Sequence, residues 1–441
     1  MQYGPVGNDA NPGALREDMR RIARSRWVAC GALTVTAGIL AACNLGTPPT
    51  GYPSPTNASG DAVGLGDVNG DGDLDIVTEG NDTHFGALLS DGSGGYTPAT
   101  FRHEDHCQNS IPAATCDSFQ VAAVEDVTSD GRADVVISYR RTVNGVATTE
   151  LRARGSLGDH FTASSQVATY PAPSVPEVHF ADVTGDSLLD MVVIDVTTAI
   201  AFPKVDVYRG NGLGGFGGAV STPRAGSLRV GEVHLADLDD NGYADLVING
   251  TCVHSGEAGE ARLEGCVHVH LANRAGGFWG ATGFAAADPA VDGIPDSALA
   301  DVDEDGDLDL IGANSASDQD GGASGPGPRM SVFRGDGAGG FAWEESRPEL
   351  APGMTGAVAA DFDVDGLVDL LVATDPAGAA AGEPISFGDG TGQFTGSHVL
   401  TRTAAQPGLV GDLDGDGKPD YVQNTTRGIR VFMNRWDGRP G

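Results

Sequence analysis

The sequence predicts an all-β chain, a seven-bladed β-propeller of four-stranded antiparallel blades with calcium-binding loops. Three observations predict it. A nine-residue acidic motif recurs seven times, each copy lies among short apolar runs, and a glycine turn ending on an aromatic follows in several repeats. The motif is plainest at Asp301–Asp309, DVDEDGDLD, with carboxylates at positions 1, 3, 5 and 9 and glycine at 6. That spacing suits a tight loop around one hard cation. Calcium takes about six to eight oxygen ligands at roughly 2.3–2.6 Å, and glycine permits the sharp turn between them. Position 7 would offer its backbone carbonyl.

The other copies begin at Asp67, Asp126, Asp182, Asp237, Asp361 and Asp412, so that successive starts lie 59, 56, 55, 64, 60 and 51 residues apart. A period of this size marks a repeat architecture with one supersecondary unit per repeat. The candidate metal ligands are Asp67, Asn69, Asp71, Asp73 and Asp75 in the first loop, and Asp126, Thr128, Asp130 and Asp134 in the second. The third offers Asp182, Thr184, Asp186 and Asp190; the fourth, Asp237, Asp239, Asn241 and Asp245. The fifth offers Asp301, Asp303, Asp305, Asp307 and Asp309; the sixth, Asp361, Asp363, Asp365 and Asp369; the seventh, Asp412, Asp414, Asp416 and Asp420. Up to seven structural calcium ions are expected. Thr128 and Thr184 supply fewer charges, and Ser187 stands where the turn glycine is expected, so the Asp182 loop should bind most weakly.

Each loop is preceded by a short apolar run, such as Val178–Ala181 or Val233–Ala236, and followed by another, such as Val135–Ile137 or Met191–Ile194. These runs are continuous, β-branched and bounded by turn residues, which reads as buried strands. A third, alternating strand follows in several repeats, as at Val205–Tyr208 and Met330–Phe333. Glycine turns then lead to Tyr96, Phe216, Phe341 and Phe394, each opening a fourth strand. Four antiparallel strands, repeated seven times, is the arithmetic of a propeller. The last repeat ends too soon for a fourth strand, and residues near Gly51–Asn57 are expected to complete it.

The chain before the repeats falls into three parts. Residues 1–18 are polar and form an uncertain extension, with Met19 as the expected start. Residues 19–42 hold a basic stretch, MRRIARSR, and the apolar run Trp27–Ala42, which describe an export signal too short to span a bilayer. Leu40–Cys43 resembles a bacterial lipobox, which implies cleavage before Cys43 and lipidation of Cys43. Residues 43–60 are rich in Pro, Gly, Ser and Thr and read as a tether. The propeller is assigned to residues 61–441.

A net charge of −35, with Lys204 and Lys418 the only lysines, argues against a nucleic-acid face. Glycine numbers 66, as many short strands joined by turns require. The remaining cysteines form local pairs in an exported chain, so disulfides are expected at Cys107–Cys116 and Cys252–Cys266, each pinning an irregular insertion. A zinc site on His103, His106 and Cys107 is the sharper and less favoured reading. Arg334-Gly335-Asp336 spells an adhesive tripeptide, but it coincides with the repeat's turn glycine. His179 and His234 share one repeat position and read as strand residues.

The D-x-D-x-D-G-x-x-D loops between strands, with turns such as Gly335–Phe341, resemble FG-GAP/VCBS repeats across about residues 60–436. The resemblance implies the seven-bladed propeller of integrin α-chains and bacterial surface proteins. An EF-hand fails on context: position 12 of the first loop is Thr78, not glutamate, and the flanks are strands.

The function expected is non-catalytic binding of a surface protein or glycan by a lipid-anchored monomer outside the bacterial cytoplasm. A polysaccharide lyase or hydrolase on the same scaffold is one alternative; an architectural component of a surface assembly is another. No nucleophile motif or phosphate loop stands out, and fold alone does not choose among these. Binding residues on propellers sit on loops between strands, which draws interest to the insertions Arg102–Ser118, Thr251–Gly265 and Asn314–Arg329.

Overall fold

A computed structural model describes residues 61–103, 107, 113–174, 176–195, 203–222, 228–255, 261–280, 282–285, 296–313, 330–347, 354–374, 384–399, 408–425 and 428–435. Residues 1–60, with Cys43, the tether and the expected closing strand, lie outside them, as do His106 and the insertion 314–329.

Every described regular element is a strand. Blade 1 comprises Ala62–Gly66, Asp75–Asn81, His84–Ser90 and Tyr96–Arg102; blade 2, Ala114–Glu125, Asp134–Val143, Val146–Arg154 and Ser165–Pro171. Blade 3 comprises Glu177–Ala181, Asp190–Asp195, Lys204–Gly210 and Phe216–Ser221; blade 4, Leu228–Ala236, Asp245–Ser255, Ala261–His270 and Thr282–Ala285. Blade 5 comprises Asp296–Ala300, Asp309–Ala313, Met330–Gly335 and Phe341–Arg347; blade 6, Met354–Ala360, Asp369–Thr374, Pro384–Gly388 and Phe394–Val399. Blade 7 has three described strands, Leu409–Gly411, Asp420–Thr425 and Gly428–Phe432. In every blade the strands are antiparallel and paired in chain order. The first strands of neighbouring blades lie against one another from blade 1 round to blade 6, and again between blades 7 and 1, so they line the axis.

The continuous apolar runs are explained by burial on both faces. In the second strand of blade 3, Met191 and Val193 pack toward blade 2, whereas Val192 and Ile194 pack toward blade 4. Ile76 and Val77 divide in the same way between blades 7 and 2, and Leu370 and Leu371 between blades 5 and 7. Successive side chains point to opposite faces of a strand, so a strand sandwiched between two sheets needs apolar residues at every position. Each such side chain contributes about 1.5–3 kcal/mol relative to exposure. The core is therefore seven interfaces, each shared by two adjacent blades, rather than one central mass. The seventh joins Leu409, Leu413, Val422 and Ile429 to Ala62, Leu65, Ile76 and Leu88, which closes the ring: this is a seven-bladed β-propeller.

Asn424 clamps that closure. Its Oδ1 accepts from the Ala62 amide at 2.7 Å and its Nδ2 donates to the Ala62 carbonyl at 3.0 Å, imitating a paired strand. Asn424→Ala leaves both backbone groups without these partners and should cost about 1–3 kcal/mol. Urea unfolding of the two chains checks this; equal midpoints would contradict the clamp.

His103, His234 and His270 have their imidazoles pushed down to about 4, in each case chiefly by burial. A base with a depressed native value is neutral in the fold and takes a proton first in the unfolded chain. Its share of stability is present above the unfolded value near 6.5 and is lost as pH falls toward 4. His234 Nε2 meets Ser297 Oγ at 2.7 Å, a contact that a glutamine amide can also make. His234→Gln should therefore lose less stability than wild type between pH 7 and pH 5, measured by denaturant unfolding at each pH.

Candidate metal centres

The seven acidic loops join first to second strands, and every second strand begins at the ninth residue of its motif: Asp75, Asp134, Asp190, Asp245, Asp309, Asp369 and Asp420. One template shapes all seven. The first carboxylate accepts the amide of position 6, as Asp67 Oδ2 does from Gly72 at 2.8 Å and Asp412 Oδ2 from Gly417 at 2.8 Å. The fifth accepts the amide of position 7, as Asp130 does from Arg132 at 3.0 Å, Asn241 from Tyr243 at 2.9 Å and Asp416 from Lys418 at 3.1 Å. Asp186, Asp305 and Asp365 make the same bond.

The ninth aspartate is the deepest part of the corner, at most 1% exposed in every blade. One oxygen accepts an amide from the loop's second or third residue. Asp245 Oδ2 takes Leu238 N at 3.0 Å, and Asp134 Oδ2 takes Thr128 N at 2.9 Å. The other accepts an amide where the third strand ends: Asp75 from Ser90 at 2.8 Å, Asp245 from Ala272 at 2.7 Å, Asp420 from Asn434 at 2.7 Å. One carboxylate thus ties the two turns on the same edge of each blade.

Burial without a counter-charge raises these carboxyls, to about 6 at Asp75 and Asp134 and to about 7 at Asp245, Asp369 and Asp420. At position 1, burial lifts Asp301 to about 6 and raises Asp237 and Asp361. Four loops bring three carboxylates together, with one oxygen of each within 4.8 Å of the others: Asp237, Asp239 and Asp245; Asp301, Asp303 and Asp309; Asp361, Asp363 and Asp365; Asp412, Asp414 and Asp420. That span matches two oxygens on opposite sides of an ion at about 2.4 Å. Asp239 Oδ1, Asp301 Oδ1 and Asp414 Oδ1 are buried without a hydrogen-bond partner, which costs free energy unless something else meets them. An all-oxygen, anionic set with unmet acceptors fits a hard divalent cation.

The first three loops form no such trio; their third positions are Asn69, Thr128 and Thr184. Asp73 and Asp307 stand apart from the trios, because their carboxylates lie under Gly92 and Gly337 of the next turn. Two features escaped sequence reading. Position 4 has positive φ in every loop, including Ser129, Asp240, Glu304 and Val364, where no glycine announces it. Arginines from outside also reach the loops: Arg209 pairs with Asp186, Arg334 with Asp303 and Asp309, and Arg435 with Asp414, whereas Arg132 pairs with Asp130 from within its own loop. Arg334, Gly335 and Asp336 are all engaged within the repeat, since Gly335 N donates to Asp309 and Asp336 Oδ1 accepts from Ala338 and Gly340.

Both disulfides are present, with Cα atoms 5.7 Å apart at Cys107–Cys116 and 5.8 Å at Cys252–Cys266. The bond takes the Cys107 thiol from any zinc site, and His103 packs instead between Phe85 and Phe119. The expectation of an irregular insertion at Thr251–Gly265 is corrected: Thr251–Ser255 and Ala261–Gly265 pair in register as a hairpin extension. By strand direction this hairpin and both disulfides lie on the face opposite the acidic loops. Two buried carboxylates outside the loops are also engaged. Glu150 meets Tyr139, Arg141 and Arg152; Asp206 meets Tyr170, Lys204 and Ser221.

Residues 301–372 match the family model of the FG-GAP-like repeat. That stretch runs from the fifth acidic loop into the second strand of blade 6. No curated protein matches the chain. Among solved structures it is similar to an α-L-arabinanase of Penicillium chrysogenum complexed with arabinobiose, at 12% identity and TM-score 0.43, over 90% of this chain and 95% of that one. It is also similar to a rhamnogalacturonan lyase of Bacillus licheniformis, at 13% identity and TM-score 0.34, over 69% and 67%. Likeness at this level carries no argument about activity. No helix among the described residues is long and apolar enough to cross a membrane.

Ser187 holds φ 65° where the other six loops have glycine, a region that disfavours a side chain. Ser187→Gly should relieve roughly 1 kcal/mol of that strain. Its melting temperature should rise slightly above that of wild type; a fall would reject the strain.

Proposed function

We propose that this chain is an exported, calcium-stabilised propeller that binds a surface protein or glycan without catalysis. It is held to a bacterial membrane by lipid at Cys43. Export is supported by the two disulfides, which persist in oxidising compartments. The observation that carries the calcium reading is the set of buried, unmet oxygens of Asp239, Asp301 and Asp414 inside carboxylate trios. Calcium there would replace lost hydration and hold first and third carboxylates that otherwise repel, with the ninth as a further ligand.

The binding reading rests on how carboxylates are used. Side chains at positions 1, 5 and 9 of the repeats hold backbone amides, and the buried Glu150 and Asp206 are engaged by neighbours, which fits a scaffold role for both classes. The face opposite the loops carries the extended hairpins of blades 2 and 4 beside the disulfides. A paired sheet edge that extends beyond its blade is suited to recognition, because its backbone is already ordered by the ladder.

Chelation should lower the melting temperature. Calcium at a hundredfold excess over its Kd stabilises by about 2.7 kcal/mol per site that unfolding releases. An unchanged melting temperature after exhaustive chelation would count against the calcium reading. The binding reading is tested by a glycan and surface-protein screen with and without calcium. Saturable, calcium-dependent retention of an unmodified ligand supports it, whereas release of cleaved or unsaturated sugars would replace it with an enzymatic one.

A further inference from the structure

The fifth loop matches the acidic motif most fully, yet it is the loop into which a third-strand arginine reaches furthest. Arg334, at the end of that strand in blade 5, places Nη1 2.9 Å from Asp303 Oδ2 and 3.1 Å from Asp309 Oδ2. Its Nη2 donates to the Thr391 carbonyl of blade 6 at 2.8 Å. The side chain is only 19% exposed. A Cβ on Gly392 would lie 2.0 Å from Nη2, so the turn of blade 6 leaves room for the guanidinium by having glycine there. Gly392 N also donates to Val302 O at 2.8 Å, fastening that turn to the loop. A planar fork is thus seated between two blades, with two prospective metal ligands as its acceptors.

The fourth loop differs. Asp237, Asp239 and Asp245 form a trio, Asp239 Oδ1 is buried and unmet, and no lysine or arginine among the described residues pairs with these three. Among the described residues its carboxylates are met by backbone amides, those of the loop and that of Ala272.

We propose that Arg334 is a built-in counter-ion that makes the fifth corner largely independent of calcium, while the fourth corner depends on it. This rests on the calcium reading above and reverses the order that carboxylate number alone suggests. A fixed positive charge about 3 Å from two ligand oxygens repels an entering dication and occupies lone pairs it would use. Asp301 Oδ1 stays unmet, so the fifth loop keeps a weak affinity rather than none.

Calorimetric calcium titration of the chelator-stripped chain tests this on wild type, Arg334→Gln, Arg334→Lys and Asp239→Asn. Arg334→Gln should tighten one site by about tenfold or more, the scale expected for removing an adjacent charge. It should also melt lower than wild type without calcium and recover when calcium is added. Arg334→Lys, which keeps the charge, should titrate like wild type, and Asp239→Asn should lose the tightest site. The proposal is overturned if Arg334→Gln titrates like wild type, loses a site, or stays unfolded at millimolar calcium. A wild-type chain that takes up no calcium refutes the calcium reading instead.

Discussion

The structure depends on one buried carboxylate per blade. The ninth aspartate accepts an amide from the acidic loop with one oxygen and an amide from the end of the third strand with the other. No neutral side chain of that size accepts at both ends; asparagine would present a donor to one of the amides. The cost of the bond is a desolvated charge, visible as the raised carboxyls of Asp245, Asp369 and Asp420. That cost creates the need for positive charge near the loop.

The corners also join the blades. The carbonyl of position 2 accepts from the following blade: Val68 from Ser156 Oγ, Val127 from Gly214 N, Val302 from Gly392 N, Phe362 from Asn434 Nδ2, and Leu413 from Ser90 Oγ. The last of these crosses the ring closure, from blade 1 to blade 7. At these five corners the loops are fastened to the next blade on one face, so whatever orders such a corner also steadies that junction. The other face is left to the extended hairpins and disulfides, so the acidic corners and these features are separated by the direction of the strands.

Two means of compensating the corner charge coexist. The carboxylate trios of the last four loops have the chemistry of a divalent cation site. At the third, fifth and seventh loops, arginines from the ends of third strands or just beyond them contact the same carboxylates. A guanidinium is permanent, whereas a bound ion is exchangeable, so these corners would respond differently to the calcium of their surroundings.

Much of this was legible in the chain. The seven motifs, their spacing, the doubly apolar second strands, the glycine turns and both cysteine pairs are local patterns, and local patterns set strands and turns. The positive φ at Val364 and Glu304 was not legible, because those residue types do not announce it and only the closed loop enforces it. Nor was the pairing of Thr251–Ser255 with Ala261–Gly265, where composition resembles a loop and cross-strand pairing decides. DVDEDGDLD at Asp301–Asp309 by itself determined a corner between two strands and a cluster of carboxylates that calls for cations beside it. That Arg334, separated from Asp309 by a whole strand and a long connection, supplies one of those cations was decided only by tertiary structure, because the third strand must fold back along the second before its last side chains reach the loop.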